Sequence, residues 1–176
     1  VSNCLIHPGI KTETHIEAKK KIENALSWLN FHHNDEEVEL AMKKEFVSIN
    51  PTKTSKESYD AIKDKIFHML EERQYSIITL NGKSDDSSKD YKSGCNFIIG
   101  GTNLGRGVTF GQLNTFIYTR TSQSPQADTM WQHSRMFGYD RDPGLITVYI
   151  THELYKLFVE INNTNISIVR QATSLE

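Results

Sequence analysis

The sequence predicts an α/β fold in which a mostly parallel sheet is flanked by helices. Five short apolar runs have the length and β-branched character of buried strands, and they span residues 3–7, 75–82, 96–101, 114–120 and 145–150. Segments with helical periodicity alternate with these runs, and such alternation is typical of a parallel sheet. We therefore expect a layer of strands between helices.

Helices are predicted where apolar residues recur three or four positions apart. Three consecutive segments show this spacing, with the residues Ile22, Leu26 and Leu29, then Val38, Met42 and Phe46, then Ile62, Ile66 and Leu70. Asn34 with Glu37 fits a capping box for the second helix. Ser124 with Pro125 starts a further helix, and Thr151 caps the last one.

The composition predicts a single globular domain. The chain has 176 residues with a net charge of −2, so no bulk basic surface marks it as a nucleic-acid-binding protein. We interpret residues 34–56 as a helical insertion in the domain comprising residues 1–176. Two cysteines and no apolar run of about 20 residues favour a cytoplasmic protein without a membrane span. Because Val1 opens inside a strand, we expect a fragment of a larger chain.

A glycine-rich segment follows the third predicted strand, where parallel sheets place their ligands. Gly100 to Gly105 reads G-x-x-x-x-G, the frame of a phosphate-binding P-loop. Arg106 and Gly107 stand where that loop needs Lys and then Ser or Thr, and a strand pattern follows instead of a helix. The segment is therefore a binding loop without a Walker A motif, and no G-x-x-x-x-G-K-[ST] occurs elsewhere in the chain.

Two motifs together suggest a family. "GGTNLGRGVTF" resembles the fifth motif of superfamily 2 helicases, and "ADTMWQHSRMFGYDRD" resembles the sixth. Their combination is similar to the Z1 domain of proposed restriction-system endonucleases, itself a second RecA-like helicase lobe. "LIHPGIKTETH" and "LNGKSDD" also look like that family, and the similarity covers residues 5–150. The resemblance implies a RecA-like three-layer sandwich, a P-loop NTPase second lobe lacking Walker A.

The resemblance implies that ATP lies between two RecA-like lobes of one parent chain. ATP and Mg²⁺ would be held mainly by the first lobe, so this chain alone would bind neither tightly and would not hydrolyse ATP. This lobe would supply Arg135 to the phosphates. The family's usual second arginine is Gly138 here, which leaves Arg141 as the other catalytic candidate, and Ser134 replaces the usual glycine before Arg135.

The remaining implied contacts are to the nucleotide and to DNA. The positions expected near the nucleotide are Gln132, Gly105, Arg106 and Gly107. Those expected at the nucleic acid, or coupling it to the ATP cleft, are Thr102, Asn103 and Thr109. DNA is therefore an expected partner, although DNA and RNA are not distinguished.

Two other functions remain open from the residues. One is an endonuclease with a metal–carboxylate site, and the other is a non-catalytic α/β interaction domain. The segment "HHNDEE" at residues 32–37 is better interpreted as a helix start than as a metal cluster, and we predict no metal site. Cys4 and Cys95 are interpreted as buried thiols.

Overall fold

A computed structural model describes residues 2–49, 57–80, 92–101, 113–120 and 143–174 of the chain. The strands are β1 (Ser2–His7), β2 (Tyr75–Leu80), β3 (Cys95–Gly100), β4 (Leu113–Tyr118) and β5 (Thr147–Ile150). The helices are α1 (Thr12–Phe31), α2 (Glu36–Ser48), α3 (Tyr59–Glu71) and α4 (His152–Thr173), and a short 3₁₀ helix spans Pro143–Leu145. No helix in these ranges is both long enough and apolar enough to cross a membrane.

The five strands form one parallel sheet in the order β2-β3-β1-β4-β5. β1 is central, with Leu5 opposite Ile98 of β3 and Phe116 of β4. A register irregularity between Asn3 and Cys4 lies at the start of the β1–β4 pairing. All five predicted strands are confirmed, with bounds that shift by one or two residues.

Helices cover both faces of this sheet. Because successive strand residues point to opposite faces, Leu5 and its neighbours Cys4 and Ile6 belong to different cores. Cys4 and Ile6 pack with Ile22 of α1, whereas Leu5 packs in the cluster that includes Leu154 of α4. The predicted α/β fold is therefore confirmed as three layers, consistent with a RecA-like sandwich.

α2 and α3 pack beside α1 through a separate apolar cluster. Its buried residues are Val38 of α2 and Phe67 and Leu70 of α3, with Leu26 of α1 packed against them. α2 lies inside residues 34–56, the range predicted as an insertion, and that boundary stays a prediction.

Of the three predicted helix starts, one is confirmed, one is wrong, and the one at Ser124 and Pro125 lies outside the described residues. The Thr151 hydroxyl accepts a hydrogen bond from Leu154 N at 3.3 Å, as an N-cap should. For α2 the N-cap is Asp35, without a side-chain capping bond. Asn34 instead donates its amide to His33 Nε2 at 2.8 Å. The predicted capping box fails because the helix begins one residue later and the neighbouring histidine competes for the Asn34 side chain.

Candidate functional site

The strand order creates a switch point at the carboxyl end of β1. From β1 the chain proceeds to β2 on one side of the sheet, and from β4 it proceeds to β5 on the other. Open parallel sheets bind ligands beyond the carboxyl ends of strands at such a point. We use the name carboxyl edge for His7, residues 8–11, His15, Gly101 and Tyr118, which lie at or next to these strand ends.

Aromatic rings fill the carboxyl edge on the α4 side of the sheet. The His7 ring meets Tyr118 edge-on at a centroid distance of 5.1 Å, and Tyr118 meets Phe158 of α4 at 6.0 Å. His7 and Tyr118 are almost fully buried. Burial raises the pKa of the Tyr118 phenol, while the charge of nearby Arg120 opposes that rise. The phenol is therefore neutral near pH 7 and can act as a hydrogen-bond donor or acceptor there.

The α1 side of the carboxyl edge is formed by tight backbone packing. Pro8 and Gly9 break the chain after β1, and α1 begins three residues later. The buried His15 ring lies under this turn, and its Nε2 is 2.9 Å from Gly9 O. A carbonyl oxygen can only accept, so Nε2 carries the proton and donates.

Gly101, the residue after β3, lies close to the same imidazole. A Cβ added at Gly101 would lie 3.3 Å from His15 Cε1 and 3.4 Å from both His15 Nε2 and Gly9 O. Any larger residue at position 101 would therefore press on the ring or on the turn. The Thr14 hydroxyl donates to Lys11 O at 2.6 Å and stabilises the first turn of α1. The carboxyl edge is thus a packed unit made from β1, α1 and β3.

The predicted site residues lie outside the described residues. They are Thr102, Asn103, Gly105, Arg106, Gly107, Thr109, Gln132, Arg135 and Arg141. In the chain, residues 102–112 follow Gly101 after β3, and residues 121–142 follow Arg120 after β4. The described residues that precede the two motifs therefore lie at the ends of the two strands that neighbour β1.

Sequence reasoning did not single out His7, His15 or Tyr118. A signal existed for His7, since a polar residue closes an apolar strand directly before Pro-Gly. His15 carried no such signal, because a histidine on a helix is ordinary until its partner is known.

A polar network joins three strands at the opposite, amino-terminal end of the sheet. Asn96 of β3 is fully buried, accepts from Ser76 Oγ at 2.7 Å and donates to Asn3 Oδ1 at 2.9 Å. It also accepts from Lys92 N at 2.7 Å and donates to Lys92 O at 3.1 Å. All four hydrogen-bonding positions of the amide are used, so this network is structural.

Neither the cysteines nor the acidic and histidine side chains of the described ranges form a reactive cluster. Burial, with a smaller contribution from Cys95, raises the pKa of the Cys4 thiol to about 12, and burial also raises the pKa of Cys95. Within the described residues no group of three or more His, Cys, Asp or Glu side chains could hold a metal. In the "HHNDEE" segment His32 pairs with Asp35 at 2.6 Å and stacks on Trp28.

The fold and the carboxyl edge define an α/β domain in which β1, β3 and β4 terminate at one edge, where parallel sheets in general bind their ligands. The chain belongs to the Z1 domain family, whose model matches residues 1–175. No curated protein and no solved structure matches the chain.

Proposed function

We propose that this chain is the second RecA-like motor lobe of an ATP-dependent DNA helicase or translocase, linked to restriction or DNA defence. ATP and Mg²⁺ are held mainly by a first RecA-like lobe of the same parent chain. This lobe contributes arginine to the phosphates and contacts DNA beyond the carboxyl ends of its strands.

One observation carries the proposal, and it is that the described residues preceding the two motif segments lie at the ends of two strands that neighbour β1. The fifth-motif segment begins at Gly100 and Gly101, at the end of β3, and the sixth-motif segment separates β4 from β5. β3 and β4 both neighbour the central strand β1. Two segments that act together on one nucleotide need such neighbouring starting points, and ligands of parallel sheets bind at this edge.

Arg135 is the proposed phosphate-contacting residue. Negative charge on the phosphoryl oxygens must be balanced in the transition state, and a planar guanidinium can donate to two oxygens at once. Gln132, one helical turn before Arg135 in the predicted helix, would orient the nucleotide. Arg141 stands six residues after Arg135 rather than three, so it is the weaker of the two arginine candidates.

The fifth-motif segment is the proposed link between ATP and DNA. Arg106, Gly107 and Thr109 would sense the nucleotide, and Thr102 with Asn103 would donate hydrogen bonds to DNA phosphates. Backbone phosphate contacts position a motor on DNA without reading its sequence, which suits a translocating protein.

The test is DNA-stimulated ATP hydrolysis by the parent protein that contains both lobes. Arg135→Ala should lower the rate by about 10³-fold or more, the loss expected for an arginine finger. Arg141→Ala should be milder. Arg170→Ala is the matched control, since Arg170 is exposed near the end of α4 on the described part of the chain, and it should match wild type.

The rival functions give different results in the same assay. Equal rates for wild type and Arg135→Ala would remove the motor proposal and favour the non-catalytic interaction domain. DNA cleavage that needs Mg²⁺ or Mn²⁺ and does not need ATP would favour the endonuclease.

A further inference from the structure

His15 connects two parts of the carboxyl edge that are far apart in sequence. Its Nε2 lies within hydrogen-bond distance of Gly9 O in the turn after β1, and its ring leaves only a tight space for a Cβ at Gly101, the first residue after β3. We propose that His15 is a positioning residue, which acts through Gly101 to set how strongly DNA stimulates ATP turnover. The predicted effect on ATP turnover rests on the proposed function. The predicted effect on the structure around His15 and Gly101 does not.

The packing around His15 leaves its ring little room to move. His15 is only 3 % exposed, so its ring has packing on nearly all sides. The Nε2–H donates to Gly9 O in the turn, which restrains the position of the ring. Between Gly101 and that ring there is space for a hydrogen but only a tight fit for a methyl group.

The consequence is that the space between Gly101 and the turn is limited by the His15 ring. Gly101 is the last described residue of the fifth-motif segment, whose remaining residues follow it directly in the chain. Packed interiors shift between discrete arrangements rather than deforming continuously. An imidazole held by a hydrogen bond therefore transmits a displacement at residue 101 to the β1–α1 turn, and the reverse.

The turn that follows α1 supplies a matched control. His33, two residues after the end of α1, also donates a ring N–H to a backbone carbonyl, with Nδ1 lying 2.9 Å from Asn30 O. It is more exposed than His15, and it contacts neither Gly9 nor Gly101 in the described structure. Replacing either histidine removes one ring-to-carbonyl hydrogen bond, but only one of them lies at the carboxyl edge.

The experiment compares His15→Phe, His15→Gln and His33→Phe in the two-lobe parent protein. The ratio of DNA-stimulated to basal ATP turnover should fall about tenfold in His15→Phe, the size typical of a lost coupling interaction. His15→Gln keeps an N–H donor at a similar reach and should recover to within about threefold of wild type. His33→Phe should keep the wild-type ratio. A merely structural role would lower the melting temperature of His15→Phe and leave this ratio unchanged for the folded enzyme, which would overturn the inference.

Hydrogen exchange followed by mass spectrometry tests the structural role of His15 without an activity measurement. In His15→Phe, peptides covering residues 6–14 and 96–101 should exchange about tenfold faster, while peptides from α4 stay unchanged. Unchanged exchange at both segments would refute the positioning role. If exchange changes as expected but the parent shows no DNA-stimulated ATPase and no loss with Arg135→Ala, the proposed function fails and the His15–Gly101 contact stands.

Discussion

Replacing Asn96 should be among the most destabilising single changes in the described part of this domain. Its side chain makes four hydrogen bonds while completely buried, and its partners are Ser76, Lys92 and Asn3. Each such bond contributes about 1 kcal/mol net, and a buried partner left unsatisfied costs about 1–3 kcal/mol. Asn96→Ala removes all four bonds at once.

The size of the expected loss in stability depends on which hydrogen-bond partners of Asn96 can bind water after the substitution. Lys92 is exposed, so its backbone groups can hydrate after the substitution. Ser76 is half-buried, whereas Asn3 stays buried at the amino-terminal end of the central strand β1. The free energy of unfolding should therefore fall by about 3–4 kcal/mol, less than the sum of four full penalties.

Urea unfolding measures the free energy of unfolding of each variant. The dependence of that free energy on urea concentration should be the same in all variants. Ser76→Ala is the matched smaller change, since it deletes one bond of the network and should cost about 1 kcal/mol. The double variant should be less destabilised than the sum of the two single changes, because they share a hydrogen bond. If Asn96→Ala cost no more than Ser76→Ala, the network would not hold the three strands together and the reasoning would be refuted.

Two further predictions concern titrating groups. Hydrogen bonds from Lys63 and then Lys43 lower the pKa of Glu39 from 4.5 to about 2. Because that pKa is depressed in the folded state, the stabilisation is present above pH 4.5 and is lost as pH falls toward 2. The free energy of unfolding, measured as pH is lowered, should fall less steeply in this window for Glu39→Gln than for wild type. An equal slope would contradict the ion pair between Glu39 of α2 and Lys63 of α3. Cys4, with its pKa raised to about 12, should resist maleimide at pH 8 in the native protein and react once urea unfolds it. Native labelling of Cys4 as fast as in urea would argue against its burial in β1.

The local sequence pattern was sufficient to predict the strands, most of the helices and the N-cap of α4. A strand such as β3 is visible in sequence because its apolar run is continuous, and Thr151 is visible because capping depends only on neighbouring residues. The predicted cap of α2 was wrong because Asn34 and Asp35 are both good N-cap residues. The choice between them depends on the side-chain hydrogen bond between Asn34 and His33, which the capping pattern does not show. The catalytic and binding residues proposed from the two motifs stay predictions, because Arg135 and the others lie outside the described residues.

The sequence by itself determined the layered α/β class, the positions of β1 to β5 and the motifs that match the Z1 family, because periodicity and motif spacing are local properties of the chain. Only the tertiary structure decided that β1 is central and that the ends of β3 and β4 flank it. Only the structure joined Asn96 to Asn3, 93 positions away, and His15 to Gly101. The physical reason is that such contacts arise from packing between segments distant in the chain, where each residue taken alone has many possible partners and only the assembled sheet selects one.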